Sequence, residues 1–114
     1  MHRQSRAQQL RLLWLAVALL YVGIAAAAET GSPIRVRFAC ALGKHVRAVF
    51  TNGAHPTVEL TLSDGRRLLL PQALSADGAR YANAEGSLVF WNKGRTAFLE
   101  EAGQRTFTDC VQEK

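Results

Sequence analysis

Between Ile34 and Cys110, turn signals recur about every eight to twelve residues, a spacing that leaves room for short strands and almost nothing else. Asn52-Gly53, Ser63-Asp64-Gly65, Ser75-Ala76-Asp77-Gly78, Asn83 to Gly86 and Asn92-Lys93-Gly94 supply residues that tolerate positive φ or bond local backbone. The segments between them alternate with period 2. Ile34, Val36, Phe38 and Cys40 interleave with Arg35, Arg37 and Ala39; Val46, Ala48 and Phe50 repeat the pattern, and Val58, Leu60 and Leu62 interleave with Glu59 and Thr61. Further strands are expected over Leu68 to Leu70, Arg80 to Ala82, Ser87 to Trp91, Thr96 to Glu100 and Arg105 to Cys110. With no sustained helical period, about eight short strands make an all-β antiparallel barrel or sandwich. A closed barrel also removes the edges that a small exported sheet must otherwise protect.

The first part of the chain does not read as fold. Arg3, Arg6 and Arg11 precede an apolar run from Leu12 to Ala28 that ends in Ala26-Ala27-Ala28. A basic region, an apolar region and an A-x-A ending make a signal peptide over 1–28, with processing expected after Ala28 and a domain over 29–114. The run nears the roughly 18 residues of a membrane span, so a retained anchor is the alternative; the Ala-rich processing site disfavours it. Both readings put the domain outside the cytoplasm, and cleavage makes it periplasmic. No Cys stands at the end of the apolar run, so no lipid anchor is expected.

The two cysteines, Cys40 and Cys110, flank nearly the whole exported domain, and in an oxidising compartment a disulfide is the default reading. Free thiols or metal ligands are the weaker alternative, because two distant Cys lack ligand spacing. Three of the fourteen Lys and Arg precede residue 29 whereas all nine Asp and Glu lie from Glu29 onward, so the domain carries a net charge of 11 minus 9, or +2. That is too mild for nucleic-acid binding. Arg35, Arg37, Arg66 and Arg67 read as solvated strand faces, and Phe38, Phe50, Phe90 and Phe98 as core.

Catalysis finds little support. His45 and His55 form no ligand-spaced pair, no nucleophile elbow is present, and neither a metal nor a cofactor is expected. Two turns remain to be explained, one on either side of the apolar strand Ser87 to Trp91. By spacing alone, Lys93 is a solubilising turn residue and Ser75 to Gly78 an ordinary connection.

In combination these pieces resemble a family, the bacterial inhibitors of c-type lysozyme, either membrane-anchored (MliC) or periplasmic (PliC). Phe38-Ala39-Cys40 is similar to the family's aromatic-x-Cys, Asp77 to Tyr81 to its Ser-Gly-x-x-Tyr loop, and Phe90-Trp91-Asn92-Lys93-Gly94 to its Phe-Trp-x-Lys-Gly hairpin, followed by the late Cys110. The resemblance implies an eight-stranded antiparallel barrel that inserts two loops into a lysozyme's cleft, with c-type lysozyme as its partner. On that reading Lys93 is the electrostatic anchor against an ionised carboxylate, Gly94 and Trp91 hold the hairpin, and Tyr81 braces the first loop with Ser75, Asp77 and Gly78.

The first loop departs from the pattern, having Asp77 where the family has Ser. An ionised Asp accepts hydrogen bonds and cannot donate them. Three arrangements follow: Asp77 faces a protonated general acid, the loop re-aims so that Ser75 supplies the hydroxyl, or Asp77 pairs with a basic group on the cleft rim. The rival function is a non-inhibitory binding or structural module of the envelope. Oligomeric state is left open by the sequence.

Overall fold

The computed structural model describes residues 31–114; the expected signal peptide over 1–28 lies outside the described residues. Eight strands follow one another: β1 (Ile34–Ala39), β2 (His45–Thr51), β3 (Thr57–Leu62), β4 (Arg67–Ala73), β5 (Ala79–Ala82), β6 (Leu88–Lys93), β7 (Thr96–Glu101) and β8 (Gln104–Gln112). Each pairs antiparallel with the next and β8 returns to β1, so the sheet closes as an up-and-down barrel, not a sandwich.

Alternation decides what lies inside. Val46, Ala48 and Phe50 from β2 and Val58, Leu60 and Leu62 from β3 point inward beside Phe38, Leu70, Tyr81, Phe90, Leu99 and Phe107. Phe90 lies at the centre of the aromatic packing, meeting the Phe38 ring edge-on at 6.0 Å and the Phe50 ring at 6.4 Å. Among the described residues the buried cluster is drawn wholly from positions between Phe38 and Cys110, so this stretch contains its own core.

Two local expectations are corrected. Phe98 is not core: Ala97 and Leu99 face inward, and the pleat turns Phe98 out between the Trp91 ring, stacked at 6.3 Å, and the Arg105 guanidinium at 3.9 Å. Asn52-Gly53 is not a tight turn. Thr51 pairs with Thr57, so residues 52–56 form a longer connection, in which the Pro56 carbonyl accepts from the Gln72 N–H at 2.9 Å. A short 3-10 turn at Ala41–Gly43, in which Leu42 and Gly43 both have positive φ, joins β1 to β2.

Closure depends on the β1–β8 seam, where only Phe38↔Gln112 and Ala39↔Val111 are paired in the ladder. Continuing that register by one residue aligns Cys40 with Cys110, and these two form the disulfide. In the other direction it aligns Arg37 with Glu113, whose N–H reaches the Arg37 carbonyl at 2.8 Å and whose carboxylate meets the Arg37 Nε at 3.2 Å. A covalent rung and an ion pair thus flank a ladder of two pairs.

The barrel end that carries the β3–β4 and β7–β8 connections is tied by Arg66. Its guanidinium forks onto Glu101, with Nη2 donating to Oε2 at 3.0 Å, and its Nε donates to Asp64 at 2.9 Å. Arg66 is the main cause holding both carboxyls below their usual range, and Thr106 donates a further hydrogen bond to Glu101.

Two measurements test these ties. The disulfide closes a separation of 70 residues, and in the chain-entropy model its loss costs about 4 kcal/mol; a Cys40→Ser/Cys110→Ser variant is expected to lose that much in denaturant unfolding. Carboxyls with depressed folded pKa values stabilise above the unfolded range near 4 and lose that contribution as pH falls through the folded values. Arg66→Ala is therefore expected to lower Tm by a few degrees at neutral pH, a difference that shrinks as pH falls below about 4.

Candidate functional site

Connections in an up-and-down barrel alternate between its two ends, so β4–β5 and β6–β7 leave from the same one. The two turns singled out in the sequence are therefore neighbouring fingers, separated only by the β5–β6 pair. In β5–β6 the register runs Ala79↔Asn92 and Arg80↔Trp91, which brings Gly78 beside Lys93.

The second finger is braced from three sides. Lys93 ends β6, and Gly94 takes the first loop position with φ 57° while Arg95 stays at negative φ, the pattern of a type II′ turn. The Asn92 amide donates to the Gly94 and Thr96 carbonyls at 3.1 and 3.0 Å, and the Thr96 hydroxyl donates to the Lys93 carbonyl at 3.0 Å. Arg95 ties the turn to the end of β8: its carbonyl accepts from the Gln112 N–H, and its guanidinium donates to the Gln112 carbonyl.

The first finger folds on itself and onto the second. The Asp77 carbonyl accepts from the Ser75 hydroxyl at 2.6 Å and from the Trp91 indole at 3.1 Å, and the Asp77 N–H donates back to Ser75 Oγ. The Ser75 hydroxyl is thus engaged within its own loop. Gly78 has φ +69°, and a Cβ there would stand 2.8 Å from the Asn92 carbonyl oxygen and 3.2 Å from the Trp91 indole nitrogen. Only glycine allows the fingers to approach this closely.

Across that approach Lys93 Nζ meets Asp77 Oδ2 at 2.6 Å, with both side chains about 65% exposed. Each stabilises the other's charge. The Lys93 ammonium holds the Asp77 carboxyl below its usual range, and Asp77 pushes the lysine's pKa up. The basic partner of Asp77 lies within this chain, an arrangement the sequence reading did not weigh; opposite charges at Gly78-adjacent and Gly94-adjacent positions of two hairpins were the available signal.

Ser75, Asp77, Gly78, Trp91, Lys93 and Gly94 come together at this end, whereas Tyr81 does not join them. It is 4% exposed, its ring 5.7 Å from Phe50, and burial raises its phenol pKa; its role is to seat β5 in the core. Beside the second finger an open groove of about 410 Å³ runs along the outer wall between Trp91, Lys93, Phe98, Arg105, Asp109 and Val111. Trp91 and Lys93 share that outer face by alternation, the one sequence hint of it. Arg37, Arg66 and Arg67 pair with Glu113, Glu101 and Glu59, in keeping with solvated faces.

Fold and site together define a class: a small, disulfide-closed, up-and-down barrel that presents two cross-braced fingers at one end. The family model for the membrane-bound lysozyme-inhibitor of c-type lysozyme matches residues 38–107, and the chain belongs to that family. It is 39% identical over 62 residues to a membrane-bound lysozyme inhibitor of C-type lysozyme from Yersinia enterocolitica, a match covering 54% of this chain and 50% of that protein. The chain thus spans about half the length of the curated relative it matches. The barrel is also similar to that of Pseudomonas aeruginosa MliC, solved in complex with hen egg white lysozyme, with a TM-score of 0.62, 26% identity, and coverage of 77% of this chain and 88% of that one.

The close approach at Gly78 gives a direct test. Gly78→Ala is expected to cost about 1–3 kcal/mol in thermal or denaturant unfolding and to change Trp91 fluorescence as its indole leaves the Asp77 carbonyl.

Proposed function

We propose that the domain over 29–114 is a periplasmic, non-enzymatic inhibitor of c-type lysozyme, released from its signal peptide after Ala28 and carrying no lipid anchor or cofactor. It inserts the Ser75 to Gly78 and Lys93-Gly94 fingers into the lysozyme cleft and thereby protects peptidoglycan. The observation that carries this reading is the exposed Lys93 ammonium on a hairpin fixed by Asn92, Thr96 and Arg95, within the span that the family model matches.

The chemistry suits the target. A retaining glycosidase holds two carboxylates roughly 5 Å apart, one ionised and one kept protonated by an apolar pocket. A pre-ordered lysine can set its charge against the ionised one with little further loss of freedom on binding. Its bond to Asp77 is no obstacle, because a water-exposed ion pair is weakly held and exchanges readily. Trp91 and Gly78 lock the fingers together, and Tyr81 acts from below through β5.

A second reading rests on the same ion pair. If Asp77 keeps Lys93 for itself, the barrel is a non-inhibitory binding module of the envelope. A cell-wall lysis assay separates the two: the domain is expected to suppress lysis, and unchanged lysis at large molar excess supports the module instead. Lys93→Ala is expected to weaken inhibition tenfold or more with an unchanged circular dichroism spectrum; equal potency would make Lys93 a solubilising residue only.

A further inference from the structure

We propose that Asp77 makes the grip of this chain on a c-type lysozyme depend on the protonation state of the enzyme's general acid: Lys93 reads the ionised carboxylate of the cleft and Asp77 the protonated one. The inference rests on the inhibitor reading above and concerns Asp77, which stands where the resembled loop motif carries Ser.

Asp77 is positioned for that role. Its loop is fixed by the Ser75 hydroxyl and the Trp91 indole, both acting on its main-chain carbonyl, so its carboxylate is left exposed at the tip of the finger. One carboxylate oxygen holds Lys93 at 2.6 Å, and the pair presents an ammonium and an acceptor-only group side by side. Opposite a retaining glycosidase's two carboxyls, the complementary arrangement places the ammonium on the ionised member and lets the protonated member donate its O–H to Asp77. A serine at the same position can donate or accept and is indifferent to that proton.

The dependence has a definite sign. Among the described residues, Lys93 is the only charged side chain found to shift Asp77, and Asp77 the only one found to shift Lys93. Their mutual attraction keeps Asp77 ionised and Lys93 protonated from pH 5 to 8, so neither titrates in that window. The carboxyl that does titrate there is the enzyme's general acid, near pH 6. Below that value its proton bridges to Asp77. Above it, three carboxylates crowd one ammonium, and affinity is expected to fall by up to about tenfold per pH unit. His55, on the 52–56 connection at the same barrel end, is the histidine to be controlled for.

Titration calorimetry of residues 29–114 against hen egg white lysozyme from pH 5 to 8 tests the proposal. The expected result is a Kd that rises at least tenfold between pH 6 and 8 for the native chain, and less than about threefold for Asp77→Ser. His55→Gln should keep the native slope, and lysozyme with its general-acid Glu replaced by Gln should abolish it. A flat native profile, an Asp77→Ser variant with the native slope, or loss of the slope in His55→Gln would each overturn the proposal. Absence of binding even at pH 5, by both the native chain and Asp77→Ser, would instead overturn the inhibitor reading on which it stands.

Discussion

Seven of the eight strand pairings in this barrel join neighbours in sequence, and each can form from a local hairpin. The eighth, between β1 and β8, brings together residues about seventy positions apart, and only two ladder pairs hold it. Loop closure of that length is entropically costly. The Cys40–Cys110 bond occupies the next rung of the same register, so it offsets that cost at a seam of only two ladder pairs. Without closure, β1 and β8 would be open edges and the interior formed by Phe38, Phe90 and Phe107 would face water.

Closure also orients the fingers. Because the strands alternate in direction around a sealed ring, the connections before β5 and after β6 lie at one end, and the end of β8 lies close enough for Gln112 to bond Arg95 in the second finger. The covalent seam thereby supports the turn that carries Lys93. At the opposite end the Arg66 bracket to Glu101 and Asp64 joins the other set of connections, leaving the two fingers to be held to each other by hydrogen bonds, a close-packed glycine and the exposed Asp77–Lys93 pair.

That division suits the docking proposed for the fingers. Asn92, Thr96 and Ser75 use their side chains on local carbonyls, so the loops are ordered before any encounter, while the charges of Lys93 and Asp77 stay in water. Ordered loops lose little entropy on docking, and an exposed ion pair costs little to rearrange. The Arg105–Phe98–Trp91 stack on the outer wall stiffens the strand from which Lys93 projects.

The period-2 alternation and the turn spacing sufficed for the number of strands and their approximate bounds, and the two cysteines of a chain read as exported sufficed for the disulfide, because each depends on neighbours in the chain or on the compartment. They failed where the outcome depended on the pleat or on a partner far away. Phe98 looked like core by composition and is outside by parity; Asn52-Gly53 looked like a tight turn and is part of a longer connection. The barrel implied by the family resemblance is the fold observed, whereas Tyr81 in the core and not among the fingers, and the outer groove beside Lys93, emerge only once the strands are paired. The pairing of Asp77 with Lys93 belongs with them. Sixteen positions separate the two residues in the sequence, and only the β5–β6 register, with no side chain at Gly78 to hold the loops apart, brings carboxylate and ammonium to 2.6 Å.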